Sequence, residues 1–210
     1  MKQILVLLSV ILLILSVAGT TGATVLNFDD ITVPSPGWVD LFPANANYGG
    51  MNWSGDWEVM SDGYFAAYGN SYNSPSGLNA LYNGGVSDVT GYAVTSITPF
   101  DFLGASLSSF TQGNVYQSWS ARTLTIKGYL NNVLVETIYL NLGVGYSEYV
   151  DQSAALFDKL VFSDGLGKYW LMDDLKYEVA IAPVPEPATM LLLGSGLIGI
   201  GVFVRRKFKK

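Results

Sequence analysis

The chain has 210 residues, no cysteine and no histidine, and a formal net charge of −6 from 11 basic and 17 acidic side chains. The missing thiols and imidazoles exclude disulfide staples, Ser-His-Asp and Cys-His nucleophile systems and most zinc sites. Half of the residues are hydrophobic and only 13% are charged, but much of the apolar excess sits in two terminal runs that belong to targeting.

At the N-terminus Lys2 precedes the apolar run from Ile4 to Val17, and the small, polar stretch AGTTGA follows. A charged n-region, an apolar h-region and a small-residue cleavage zone read as a signal peptide over residues 1–23, with Ala23 at −1 and Thr21 at −3. The alternative, a retained anchor, asks for about 20 spanning residues, more than the run offers. Export is the expectation.

Residues 24–179 read as one all-β domain, an antiparallel β-sandwich or jelly roll. Short alternating or apolar runs recur between Gly, Asn, Ser and Pro clusters: Val25–Phe28, Trp57–Met60, Tyr64–Tyr68, Leu78–Tyr82, Tyr92–Ile97, Ser106–Phe110, Arg122–Leu130, Val133–Leu142, Lys159–Phe162 and Trp170–Val179. Up to Pro183 this region holds five basic residues, Arg122, Lys127, Lys159, Lys168 and Lys176, against 16 acidic ones, a net of −11. Such a surface repels phosphate backbones, so no nucleic-acid partner is expected.

Within this region Asn131-Asn132 supplies two residues that tolerate positive φ, which predicts a type I′ hairpin. That register sets Leu130 opposite Val133 and Lys127 opposite Glu136. It also puts Leu124, Ile126 and Leu130 on one core-facing side with Val133, Val135 and Tyr139.

Acidic pairs stand at both ends of the domain, Asp29-Asp30 after the first strand and Asp173-Asp174 in the last. Should those strands pair, four carboxylates approach one another and suit a structural calcium ion; otherwise each pair caps a strand and faces water. Aromatic rings interleave with Asn, Ser and Gly between Asn47 and Gly85. They point either to strand packing or to a sugar-stacking surface made by Trp53, Tyr68 and Tyr72. Catalysis would fall to carboxylate pairs drawn from Asp56, Glu58, Glu136 and Glu148. No catalytic residue is assigned from them and no enzyme is expected, a glycoside hydrolase-like activity being the rival.

After the last strand, residues 180–189 form a Pro-rich linker whose pre-proline positions stay extended. The uncharged run at 190–204 reads as a transmembrane helix; its 15 residues span about 22 Å, which makes it short. The basic tail at 205–210, RRKFKK, fixes that tail in the cytoplasm and the domain outside.

Val184, Pro185, Glu186, Pro187, Ala188 and Thr189, followed by MLLLGSGLIGIGVFVRRKFKK, resemble the C-terminal sorting signal of PEP-CTERM proteins. The resemblance implies recognition and cleavage by an exosortase, an integral-membrane protease, at or near Pro185, Glu186 and Pro187. It implies a Gram-negative host that makes exopolysaccharide and biofilm matrix, and a destination at the cell surface or in that matrix. The NFD at Asn27–Asp29, the YGG and tryptophan of Tyr48–Trp53 and the MDDL of Met172–Leu175 also resemble the sandwich domains often joined to this tail. This second resemblance implies a fold and not a ligand; association with polysaccharide is the expectation from targeting signals at both ends of a cysteine-free, acidic, aromatic-rich domain, a purely structural or adhesive matrix role being the other alternative.

Overall fold

The computed structural model describes residues 22–180 apart from 43, 45, 55, 56 and 85–90, together with Gly196. The chain divides into two compact units, Met1–Ala180 and Ile181–Lys210. Of the second unit only Gly196, which is helical, is described. The expected signal run, the Pro-Glu-Pro motif and the rest of the expected transmembrane segment lie outside the described residues. Among the described residues no helix is long and apolar enough to cross a membrane.

The first unit is an antiparallel β-sandwich. Its strands in chain order are β1 (Thr24–Leu26), β2 (Trp38–Asp40), β3 (Asn52–Trp53), β4 (Trp57–Ser61), β5 (Asn79–Asn83), β6 (Tyr92–Ser109), β7 (Thr123–Leu130), β8 (Val133–Asn141), β9 (Ser147–Val150), β10 (Leu156–Ser163) and β11 (Trp170–Val179). One helix, α1 (Asp62–Ala67), follows β4. The 18-residue β6 belongs to both layers. Its first part pairs with β3 and β10, and its second with β9 and β11. Sheet A thus runs β3-β6-β10-β7-β8, and sheet B runs β9-β6-β11-β5-β4-β2 with β1 also on β11. The strand changes sheet at Ile97-Thr98-Pro99, where Ile97 is almost fully exposed.

Alternation decides which side chains enter the space between the sheets. Leu124 and Ile126 of β7, Phe157, Leu160 and Phe162 of β10, and Trp170 and Met172 of β11 meet there. Trp57 lies at its centre, fully buried, with the rings of Trp53, Tyr92, Phe162 and Trp170 set edge-on at 5.0 to 6.0 Å. Its indole N–H donates to the carbonyl of Ala93 at 3.2 Å, whereas the indole N–H of Trp170 beside it is buried with no hydrogen-bond partner among the described residues.

Two bulges reset the alternation. In β11 the register slips between Asp173 and Lys176, where Asp174 takes φ +48°. The extra residue turns Leu175 and Tyr177 inward where a regular strand would bury Asp174 and Lys176. In the β7–β8 hairpin, Asn131 and Asn132 take φ of 52° and 62°, and Leu130 pairs with Val133 as expected. A bulge then sets Glu136 opposite Gly128 rather than Lys127, and Lys127 opposite Thr137. The same slip overturns the expected core face of β8. Val133, Val135 and Tyr139 are exposed, Leu130 is only half-buried, and Ile138 and Leu140 pack on the core opposite Ile126 and Leu124.

The expected strand at Tyr64–Tyr68 is instead α1. Ser61 enters it in extended conformation and Asp62 sits in its first turn, where a negative charge favours a helix. Tyr64 and Tyr68, four residues apart, meet along one side with centroids 5.1 Å apart and planes tilted by 35°, and Phe65 is buried. The two strands expected at Tyr92–Ile97 and Ser106–Phe110 are halves of β6.

Candidate functional site

The first and last strands do pair, Leu26 lying opposite Leu175. This brings the acidic pairs to one end of the sandwich, but around a chain segment. Asp29 accepts hydrogen bonds from the amides of Leu78 and Asn79 at 2.8 and 3.0 Å. Asp173, fully buried, accepts from the Ser76 amide and hydroxyl at 3.0 and 2.9 Å and from the Asp174 amide at 2.7 Å. Asp30 accepts from the Tyr48 hydroxyl at 2.6 Å. Desolvation pushes the Asp173 carboxyl up to about 6, against the downward pull of Ser76. Burial also raises Asp174, with Asp29 adding to the effect.

These contacts do not fit the expected calcium ion. Among the described residues no three acidic side chains form a group able to hold a metal, and peptide and hydroxyl donors already occupy the oxygens of Asp173. Sequence reasoning missed two residues that complete the cluster. Ser76 bridges to Asp173, and the Asn79 amide donates to the carbonyls of Phe28 and Ile31, holding a turn in which Phe28 takes φ +60°. A left-handed bulky residue costs about 1–2 kcal/mol, which these bonds offset. The turn-rich SPSGLN stretch was the available signal.

Of the expected aromatic surface, Trp53 belongs to the core, while Tyr68 and Tyr72 are half-buried. Trp53 is 4% exposed, and its indole N–H donates to the Tyr48 carbonyl at 2.9 Å. Tyr68 packs on Phe110 at 5.2 Å, and the Tyr72 hydroxyl donates to the carbonyl of Ser109 at 3.3 Å. Burial raises the Tyr72 pKa. Tyr68 and Tyr72 join Phe65, Tyr82, Phe110, Trp119, Tyr146 and Tyr169 in a second cluster. It covers the outer side of sheet B, since Met60, Ala80 and Leu171 alternate with the inward Val59, Leu81 and Met172.

Among the described residues no such cluster covers the outer side of sheet A. Its side chains form three rows across the strands: Tyr139, Thr125 and Ser163; then Thr137, Lys127, Val161 and Ala93; then Leu134, Tyr129, Lys159, Thr95 and Asn52. None of these belongs to either hydrophobic cluster. Tyr139 is 78% exposed, and the Lys159 ammonium lies over the Tyr129 ring, 5.7 Å from its centroid. Beyond the third row a hollow of about 500 Å³ opens between the β6 corner and the hairpin turn, lined by Thr95, Ser96, Ile97, Asn131, Asn132 and Lys159 among others. Flat rings, hydroxyls, amides and two ammonium groups on an open plane can stack on and hydrogen-bond an extended polar chain.

Of the carboxylates considered for catalysis, Asp56 lies outside the described residues. Glu136 accepts from Ser153 on sheet A, and Glu148 is paired with Lys176. Glu58 on β4 is four strands from Glu148 on β9, about 19 Å at ordinary strand spacing. A glycosidase pair stands within about 10 Å.

Residues 183–207 match the family model described as the PEP-CTERM protein-sorting motif. No match was found among curated protein sequences. Among solved structures the fold is similar to the N-terminal CBM22-1–CBM22-2 tandem domain of Xyn10C from Paenibacillus barcinonensis, at 13% identity and TM-score 0.38, over 82% of this chain and 49% of that one. The chain thus spans about half the length of that neighbour. It is also similar to a DUF4465 family protein from Bacteroides caccae, at 13% identity and TM-score 0.40, over 78% of this chain and 95% of that one. A third is the CBM22-1 xylan-binding domain of Xyn10C, at 14% identity and TM-score 0.35, over 78% and 99%. The chain carries a PEP-CTERM protein-sorting motif at residues 183–207, after an antiparallel β-sandwich, and is an exported protein.

Proposed function

We propose that this protein is delivered to the cell surface or extracellular matrix of a Gram-negative bacterium by exosortase processing at Val184–Pro187, and that its sandwich associates there with polysaccharide without cleaving it. The sorting motif carries this reading. An extended Pro-Glu-Pro segment is a shape that a protease can grip through strand-like pairing. The uncovered, hydroxyl-rich face of sheet A supports the second half.

The test combines processing with binding. Replacing Pro185, Glu186 and Pro187 by alanine is expected to leave the chain unprocessed in the membrane fraction, as read by mass spectrometry of the C-terminus. Unchanged processing and release would overturn the sorting reading. Incubating the full chain with the host's exopolysaccharide is expected to give retention without new reducing ends. New reducing ends would make it a carbohydrate-active enzyme, and neither outcome would leave a structural or adhesive role.

A further inference from the structure

The domain is strongly acidic, yet two of its five cations share one face. Lys127 on β7 and Lys159 on β10 lie on the same open face of sheet A. Lys127 is opposite Val161, two residues along the strand from Lys159, so the two are diagonal neighbours, about 7–8 Å apart at their roots. Like charges so placed repel, and among the described residues no ion pair is seen for either. Among the described residues, none of the side chains in its three rows is acidic. The nearby Asp158 carboxylate accepts the Asn131 amide at 2.7 Å at the hairpin end. Lys176, by contrast, is paired with Glu148, and Arg122 is laid over the Tyr116 ring.

We infer that the outer face of sheet A binds an acidic polysaccharide, with Lys127 and Lys159 meeting carboxylates of the sugar chain. This rests on the polysaccharide reading above and names its chemical class. Tyr139, in the outermost row and 78% exposed, supplies a flat apolar surface for a sugar face. Thr95, Thr125, Thr137 and Asn52 supply partners for hydroxyls. Two ammonium groups suit a sparsely charged chain. A duplex with a charge every 1.7 Å or so needs many more cations and would be driven off by the rest of the domain. Salt screens that long-range repulsion within about 8–10 Å, which leaves the local face to decide contact with a sparse polyanion.

The experiment compares two polymers with one backbone, polygalacturonate and its fully methyl-esterified form, on the full chain held in detergent. Retention on the acid form, weakened by salt and at least tenfold poorer on the ester, is expected. The double variant Lys127→Gln/Lys159→Gln should lose at least tenfold in retention on the acid form with an unchanged thermal midpoint, while Lys168→Gln, the same charge change elsewhere, should not. Equal retention on acid and ester, or an unaffected double variant, would overturn the inference and leave neutral polysaccharide binding standing. No retention on either polymer, with host exopolysaccharide also unbound, would remove both readings of the face. Processing at the Pro-Glu-Pro motif is read separately.

Discussion

Asp173 in the last strand and Ser76, 97 residues earlier, are joined by two hydrogen bonds, from the Ser76 amide and hydroxyl to one carboxylate oxygen. The bond ties the turn before β5 to the bulge of β11, and its strength depends on protonation. The folded pKa of Asp173, about 6, lies above the ordinary 3.8, so the native state holds this proton more tightly than the unfolded chain. Its contribution to stability therefore falls as pH rises from about 4 to about 6 and is flat above. Asp173→Asn, which cannot ionise, should flatten that part of the urea-midpoint profile. Asp101 and Asp174 are raised too, so the difference between the two proteins is what isolates Asp173. Parallel profiles would refute the assignment.

Saturating calcium should leave the thermal midpoint where chelator leaves it. Asp29 and Asp173 already accept five hydrogen bonds between them. An ion bound only by the native state at 100 times its Kd would add about 2.7 kcal/mol. A rise of several degrees would restore the metal.

Asn132 has φ +62° in the hairpin turn. Asn132→Gly is expected to hold or slightly raise stability, and Asn132→Val to lower it by about 1–2 kcal/mol, because a β-branched residue resists the left-handed region. Urea titration of the two variants gives the order.

Gly104 takes φ +138°, and a Cβ there would stand 2.1 Å from the Tyr149 carbonyl oxygen. Backbone cannot give way as a side-chain tip can, so Gly104→Ala should cost about 3 kcal/mol or more. Gly165 also has positive φ but open space around it. Gly165→Ala should therefore cost only about 1 kcal/mol. Similar losses at both sites would mean that the β6–β9 contact is not the cause.

The sequence made the sandwich and the Asn-Asn turn legible, because each rests on local turn chemistry or period-2 alternation, whereas the pairing of first and last strands stood there only as a condition. It misled wherever a bulge reset that alternation. One extra residue exchanged the two sides of β8, sending Tyr139 out and Leu140 in. Trp53 misled for another reason. A ring-rich, polar segment reads alike whether it faces sugar or covers a sheet, and only the tertiary fold lays Phe65, Phe110 and Trp119 against sheet B. The open face was written in β7 as Thr-Leu-Thr-Ile-Lys-Gly-Tyr. Its meaning needed the neighbouring strand, which brings Lys159 beside Tyr129.

Because β6 is a member of both sheets, neither layer can peel away while the other stays intact. Amide hydrogen exchange in β10 and β11, which flank it, should proceed through the same global opening and report one free energy. A protein so built offers few partly open forms to cut, and the exposed corner at Ile97-Thr98 is where a single nick would divide its cooperativity in two.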